Sequence, residues 1–340
     1  MSTSLIVLLP VMLLGIVGML CFAGCILPAY EAAPPYTEYT GKTVLLNPAI
    51  IAYWPLREAA DTDPASELIS DNKGSYIDST TAPSLYPWLA YSVGNPPGPD
   101  ILSADAPGAI AFGQPGIVKG DAVQPANDPA IVTPCVVVNG GYVDVPFNVK
   151  FIPLTSFTIE AWVRVDWSAK ATHANRFVLD SRDINPGTGF ALFARAEEDQ
   201  PGVYSWAGMI GNGGTSAAGF TIVGIADPAI TLSGTERPGG TTCYLALSYD
   251  GPSQTLTLYV NGAQLDKVTS AVYMPNSTQP LWIGAGAPYV PRRPQPADVV
   301  ASPLFPFVGA IQDVAIYSAA LSSDVILRHF HNGNGTDPNG

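Results

Sequence analysis

The sequence predicts an all-β protein: an antiparallel two-sheet sandwich with one N-terminal transmembrane helix and a short C-terminal helix. Three observations carry that expectation. Gly and Pro number 33 each in 340 residues, a load that interrupts helices and suits short strands joined by loops. Short runs with period-two alternation or β-rich composition recur from Ile50 onward. The stretch Leu5 to Leu27 contains no charged residue, and at about 1.5 Å per helical residue it is long enough to cross a bilayer.

Three readings fit the N-terminal run. Met1 to Ser4 lacks the basic residues that usually open a cleaved secretory signal. Phe22-Ala23-Gly24-Cys25 resembles a lipoprotein signal, with Cys25 as the lipidated residue. The third reading is a retained anchor helix, on which Gly15, Gly18 and Cys21 share one small-residue face that lets another helix approach. All three send the remaining chain to the extracytoplasmic side of a membrane, either periplasmic or on the cell surface. The chain then divides into the anchor (1–27), a Pro-rich linker (28–48), a sandwich domain (49–333) and a tail (334–340). Two Pro/Gly-rich insertions, 59–134 and 286–306, read as long loops.

Within the domain, the best strand signals are Ile50–Leu56, Val136–Val145, Phe157–Val165, Phe177–Asp180, Gly189–Ala194, Tyr204–Ile210, Thr242–Tyr249, Thr255–Val260, Leu281–Ile283 and Gly309–Tyr317. In Phe157–Val165 the alternation puts Phe157, Ile159, Ala161, Val163 and Val165 on one face, and Thr158, Glu160, Trp162 and Arg164 on the other. Glu160 and Trp162 are thus neighbours, with Trp162 expected half-buried under a loop and Glu160 satisfied by backbone donors. Asn261-Gly262 supplies the positive φ angles of a type I′ hairpin turn. Ser322–Phe330 reads as the C-terminal helix, with Ser322 or Ser323 as N-cap and Val325, Ile326 and Phe330 on its apolar side.

Taken in order, several of these segments resemble one family. Ile51-Ala52-Tyr53-Trp54-Pro55-Leu56, Val138-Asn139-Gly140-Gly141-Tyr142-Val143-Asp144-Val145-Pro146 and Phe157-Thr158-Ile159-Glu160-Ala161-Trp162-Val163 are similar to strands of laminin-G-like, concanavalin A-like jelly rolls. The hairpin Leu247–Gly262, and Phe307–Tyr317 with Ala320-Leu321-Ser322 after it, resemble that family's later strands and closing helix. The resemblance implies a jelly roll and a surface binding role. It also implies calcium as a possible cofactor at a sandwich rim, for which Asp180 and Asp183 are the nearest carboxylates.

The sequence carries no recognisable catalytic constellation. Glu160 has no acid two residues away, the spacing that would place a retaining glycosidase pair about 5 Å apart. Glu197-Glu198-Asp199 reads as a solvated turn. No Gly-x-Ser-x-Gly elbow, Cys-x-x-Cys pair or phosphate loop occurs. The net charge of −13, with Arg292-Arg293 as the densest basic feature, excludes a nucleic-acid binder. Cys135 and Cys243 are the cysteines outside the apolar run, and both open strands in an oxidising compartment. They read either as a disulfide or as two separate buried thiols.

The expected function is therefore non-enzymatic: a membrane-anchored, lectin-like or adhesion-like module recognising carbohydrate or protein. The alternative is an accessory subunit stabilising a larger membrane complex through its anchor and its sandwich.

Overall fold

The computed structural model describes residue 39 and residues 43–58, 75–77, 109–123, 131–139, 141–165, 175–184, 186–196, 204–224, 242–286 and 307–336. The strands in chain order are β1 (Ile50–Trp54), β2 (Ser75–Ile77), β3 (Ala109–Gln114), β4 (Ala122–Val123), β5 (Ile131–Val132), β6 (Cys135–Asn139), β7 (Tyr142–Val145), β8 (Phe157–Val165), β9 (Arg176–Asp180) and β10 (Asp183–Ile184). They continue with β11 (Gly187–Thr188), β12 (Phe190–Ala196), β13 (Tyr204–Gly211), β14 (Phe220–Val223), β15 (Thr242–Asp250), β16 (Thr255–Val260), β17 (Ala263–Val268), β18 (Leu281–Ile283) and β19 (Val308–Tyr317), before the helix α1 (Ser323–Gly333).

Two antiparallel sheets result. The eight-stranded sheet runs β17-β16-β15-β8-β19-β6-β3, with β1 also pairing β19. The seven-stranded sheet runs β14-β13-β12-β9-β18-β7-β2. Their inner faces bury one apolar core, in which Phe157, Ile159, Ala161, Val163 and Val165 meet Phe190, Leu192, Ala194 and Trp206. The two faces of β8 fall as the alternation predicts.

The outer face of the eight-stranded sheet is also covered. Ser322 caps α1 by accepting a hydrogen bond from the Val325 amide, and Ile326 is buried against that face. Trp162 is buried among Tyr39, Tyr244 and Phe330, stacked on the last at 6.1 Å. A Cβ on Gly333 would stand 2.2 Å from the Trp162 ring, so only glycine lets the helix end lie this close. Glu160 is buried beneath α1: Tyr317 donates to its Oε2 at 3.0 Å, and His329 Nδ1 lies 2.9 Å from its Oε1. Trp162 is therefore wholly buried under the helix, and side chains rather than backbone donors satisfy Glu160.

The remaining expectations fare unevenly. Asn261 and Gly262 take φ of 51° and 78°, as the hairpin requires. The run expected as one strand, Val136–Val145, forms two strands belonging to different sheets. Part of the first insertion is strand: β2 and β3 each add an edge strand, one per sheet. Leu5–Leu27, with Gly15, Gly18, Cys21 and Cys25, lies outside the described residues, as do most of 286–306. Among the described residues no helix is long and apolar enough to cross a membrane.

The disulfide between Cys135 and Cys243 is corrected. Cys243 pairs Val163, Val163 pairs Ile311, and Ile311 pairs Val136. That path crosses three strand spacings, about 14 Å, well beyond the Cα separation a disulfide spans. The side chains also diverge, because Cys243 faces the inter-sheet core and Cys135 the outer cluster. The Cys135 thiol donates to the Pro115 carbonyl, and burial pushes its pKa up to about 11. Non-reducing peptide mapping should yield no fragment linking Cys135 to Cys243, and folded protein should leave Cys135 unalkylated at neutral pH. A linked pair would refute the register.

Candidate functional site

The outer face of the seven-stranded sheet is built by simple alternation. In β7, Val143 and Val145 enter the core while Tyr142 and Asp144 face outward; in β18, Leu281 and Ile283 enter and Trp282 faces outward. In β12, Ala191 and Phe193 face outward, as do Ala207 and Met209 in β13, with Phe220 and Ile222 in β14 packed beside them. Strand register sets Asp144, Trp282, Asp180, Ala191, Met209 and Ile222 side by side across six strands. A second row, Phe177–Phe193–Ala207, lies next to it.

Arg182 folds back over this face. Its Nε and backbone amide donate to Asp180 Oδ1 at 2.8 and 2.9 Å, and its Nη2 donates to Oδ2. The guanidinium carbon lies 4.6 Å from the Phe177 ring centroid and 5.5 Å from that of Phe220. Its planar, delocalised charge suits that position in a way a lysine ammonium would not. Phe177 stacks on Phe193 at 4.8 Å. Two strands away, the Trp282 indole donates to Asp144 Oδ1 at 2.9 Å, and Tyr142 meets Trp282 edge-on. Burial raises the Asp144 pKa, with the indole hydrogen bond opposing the shift.

The result is a row of aromatic planes and fixed polar groups. Asp144 and Asp180 stand two strands apart, about 10 Å between Cα atoms, and Asp180 already holds a guanidinium. Asp180, Arg182, Phe177, Phe193 and Trp282 are buried in this row, and Asp144, Phe220 and Ile222 are half-buried.

Of the residues singled out from sequence, Asp180 belongs to this face and Asp183 opens β10 beside it. Asp183 accepts a 3.4 Å hydrogen bond from Gln279 and pairs Thr188 across a two-strand ribbon. Both Asp180 oxygens face Arg182 rather than an open coordination position. Among the described residues no group of three or more His, Cys, Asp or Glu side chains converges. Arg182, Asp144, Trp282, Phe177 and Phe220 were not singled out. The available signal was the outward parity of Asp144 and Trp282 in strands with apolar inward partners.

Residues 138–327 match the family Laminin_G_3, described as the concanavalin A-like lectin/glucanases superfamily. A search of curated proteins gave no match. Among solved structures, the receptor-binding domain of botulinum neurotoxin mosaic serotype C/D is similar at 9% identity and TM-score 0.47, covering 83% of this chain and 50% of that one. Domain 4 of AbnA, an extracellular arabinanase from Geobacillus stearothermophilus in complex with arabinotriose, is similar at 16% identity and TM-score 0.37, covering 66% and 87%. The CBM40 of a Ruminococcus gnavus sialidase, bound to α2,6 sialyllactose, is similar at 16% identity and TM-score 0.38, covering 52% and 84%. The chain spans about half the length of the toxin binding domain.

Removing a bidentate partner from a buried carboxylate costs about 3–5 kcal/mol. Arg182→Ala should therefore destabilise the domain by that order in denaturant titration, and Asp180→Asn in the same chain should recover much of it. A loss under about 1 kcal/mol, typical of an exposed pair, would refute the burial of this contact.

Proposed function

The chain belongs to the concanavalin A-like lectin/glucanases superfamily, and on that premise we propose that it is a membrane-anchored, extracytoplasmic, lectin-like binding module that recognises carbohydrate and catalyses nothing. One observation carries the reading: the outer row of Trp282, Asp144, Asp180 and Arg182, in which every planar group is held by another. A sugar offers an apolar C–H face and a fan of hydroxyls. The Trp282 indole and the half-buried Phe220 ring suit the first, and the half-buried Asp144 carboxylate, fixed by an indole N–H, suits the second, while the buried Asp180–Arg182 pair fixes the row from beneath. Because the groups are fixed before a ligand arrives, little side-chain entropy is lost on binding.

The non-catalytic part of the reading is supported by Glu160. That carboxylate, in the Glu-Ala-Trp strand, is buried and engaged by His329 and Tyr317. It has neither solvent access nor an acid across from it. Membrane anchoring rests on the uncharged Leu5–Leu27 run.

The full chain in detergent, applied to an array of glycans, should bind a subset. Trp282→Ala should weaken that binding about tenfold, equivalent to about 1.4 kcal/mol of contact energy. An array with no binder, together with a stoichiometric protein partner co-purifying in mild detergent, would replace this reading with that of an accessory subunit.

A further inference from the structure

Among the described residues, one end of the sandwich carries most of the exposed large apolar side chains. β7 finishes at Val145 beside the start of β18 at Leu281, and β8 begins at Phe157 beside the end of β15 at Tyr249 and of β19 at Tyr317. The crossover 146–156 between the sheets and the crossover 269–280 returning between them therefore lie over the same end. Phe147 (36% exposed), Val149 (65%), Leu154 (65%), Val272 (49%) and Met274 (43%) all sit on these two segments. The other exposed large apolar residues among those described are Leu46 and Leu327.

The tips are held from beneath. Phe151 is buried edge-on against Trp54 at 5.7 Å, and Asn148 accepts from the Lys150 amide. Tyr273 packs against Phe157 at 4.9 Å, and Tyr249 donates to the Ala271 carbonyl. Asn276 accepts from the Thr278 and Gln279 amides and donates to Ser181 Oγ. The charge of these two crossovers also departs from the rest, with Asp250 and Asp183 standing at the strand ends beside them. In a chain with 28 acids and 15 bases, residues 146–156 and 269–280 contain no Asp or Glu and one base, Lys150, which is exposed.

We infer that this end docks on an anionic lipid bilayer, with Phe147, Val149 and Leu154 entering the headgroup region and Lys150 meeting lipid phosphate. The inference rests on the anchoring reading above. Apolar tips on segments that carry one base and no carboxylate of their own suit a lipid surface, whose interface accepts aliphatic and aromatic side chains to about 5–10 Å and draws cations by its surface potential. A protein partner would more naturally meet a flat apolar patch with a mixed polar rim. Eleven residues separate position 27 from Tyr39, and a chain of that length can span at most about 36 Å, while β8 carries the sheet from Trp162, against which Tyr39 packs, to Phe157 in about 17 Å.

The test uses the full chain reconstituted in vesicles of phosphatidylcholine and phosphatidylglycerol. p-Benzoylphenylalanine is placed singly at the positions of Val149, Leu154 and, on α1 away from this end, Leu327. After irradiation, lipid adducts are expected at the first two positions and not at the third. Their yield should rise with phosphatidylglycerol content and fall with Lys150→Glu. Adducts to protein alone, no adduct, or equal lipid adducts at all three positions would overturn the inference. Flotation of the same samples reads the anchor separately. A chain that floats without lipid adducts at 149 and 154 retains the anchor and loses this docking end, and one that neither floats nor forms adducts loses both.

Discussion

Everything in this domain depends on β8 being buried on both faces. An antiparallel sheet can leave one face in water, and its strands then alternate apolar with polar. β8 alternates, yet its outward residues Glu160 and Trp162 are as buried as its inward ones. An outward carboxylate at a sheet's centre demands a lid with matching donors. α1 and β19 provide them through His329 and Tyr317, and burial together with the Glu160 charge pushes the Tyr317 and Tyr244 hydroxyls well above their usual pKa. Trp162, Tyr244 and Phe330 fill the apolar remainder. The C-terminal helix is thus required by the chemistry of the central strand, whose outward Glu160 and Trp162 it buries.

The other sheet meets the same demand differently. Its outward carboxylate, Asp180, takes a guanidinium from two residues further along the chain, and phenyl rings cover that guanidinium. Ion pairs this buried add little net stability, since desolvation offsets much of their attraction. Their effect is to fix orientation. A face organised by fixed planar groups instead of a covering helix keeps partly open side chains, Phe220 and Ile222 among them, at its β14 edge.

What the sequence made legible follows from parity. The two faces of β8, the Asn261-Gly262 turn and the Ser322 cap all rest on local patterns, and all are found. Pairing across the sheet is not local. Cys135 and Cys243 each open a strand, but whether two strands are neighbours, and whether two residues share a face, depends on every register between them. β2 spans three residues, too short for a period to register. β3 is broken by Gly113 at φ 61° and a register shift, which blurs its alternation. Nothing local marks Arg182, which follows the Phe177–Asp180 strand signal and stands between the two acids the resemblance offers to calcium. Only the folded chain shows that the arginine turns back and occupies one of them.

These arrangements also decide which surfaces remain for use together. The strand axes run from the loop end to the opposite end, so the outer face of the seven-stranded sheet lies along that axis and the crossovers 146–156 and 269–280 lie across it. A bilayer meeting the crossovers would leave the outer face of the seven-stranded sheet on the side of the domain, where Asp144, Phe220 and Ile222 are half-buried and Asp180, Arg182 and Trp282 are buried. Asp313 shows how far the fold goes to keep the closed side closed. It bulges β19 at φ 54°, a costly conformation for a residue with a side chain, and its carboxylate accepts from Tyr53 at 2.6 Å and Arg57 at 2.8 Å. Beside it, Gln312 accepts from the Ile117 amide. Strain is accepted where it ties β1 to β19 and the 115–118 segment over the eight-stranded sheet, whose outer face is thereby committed to packing.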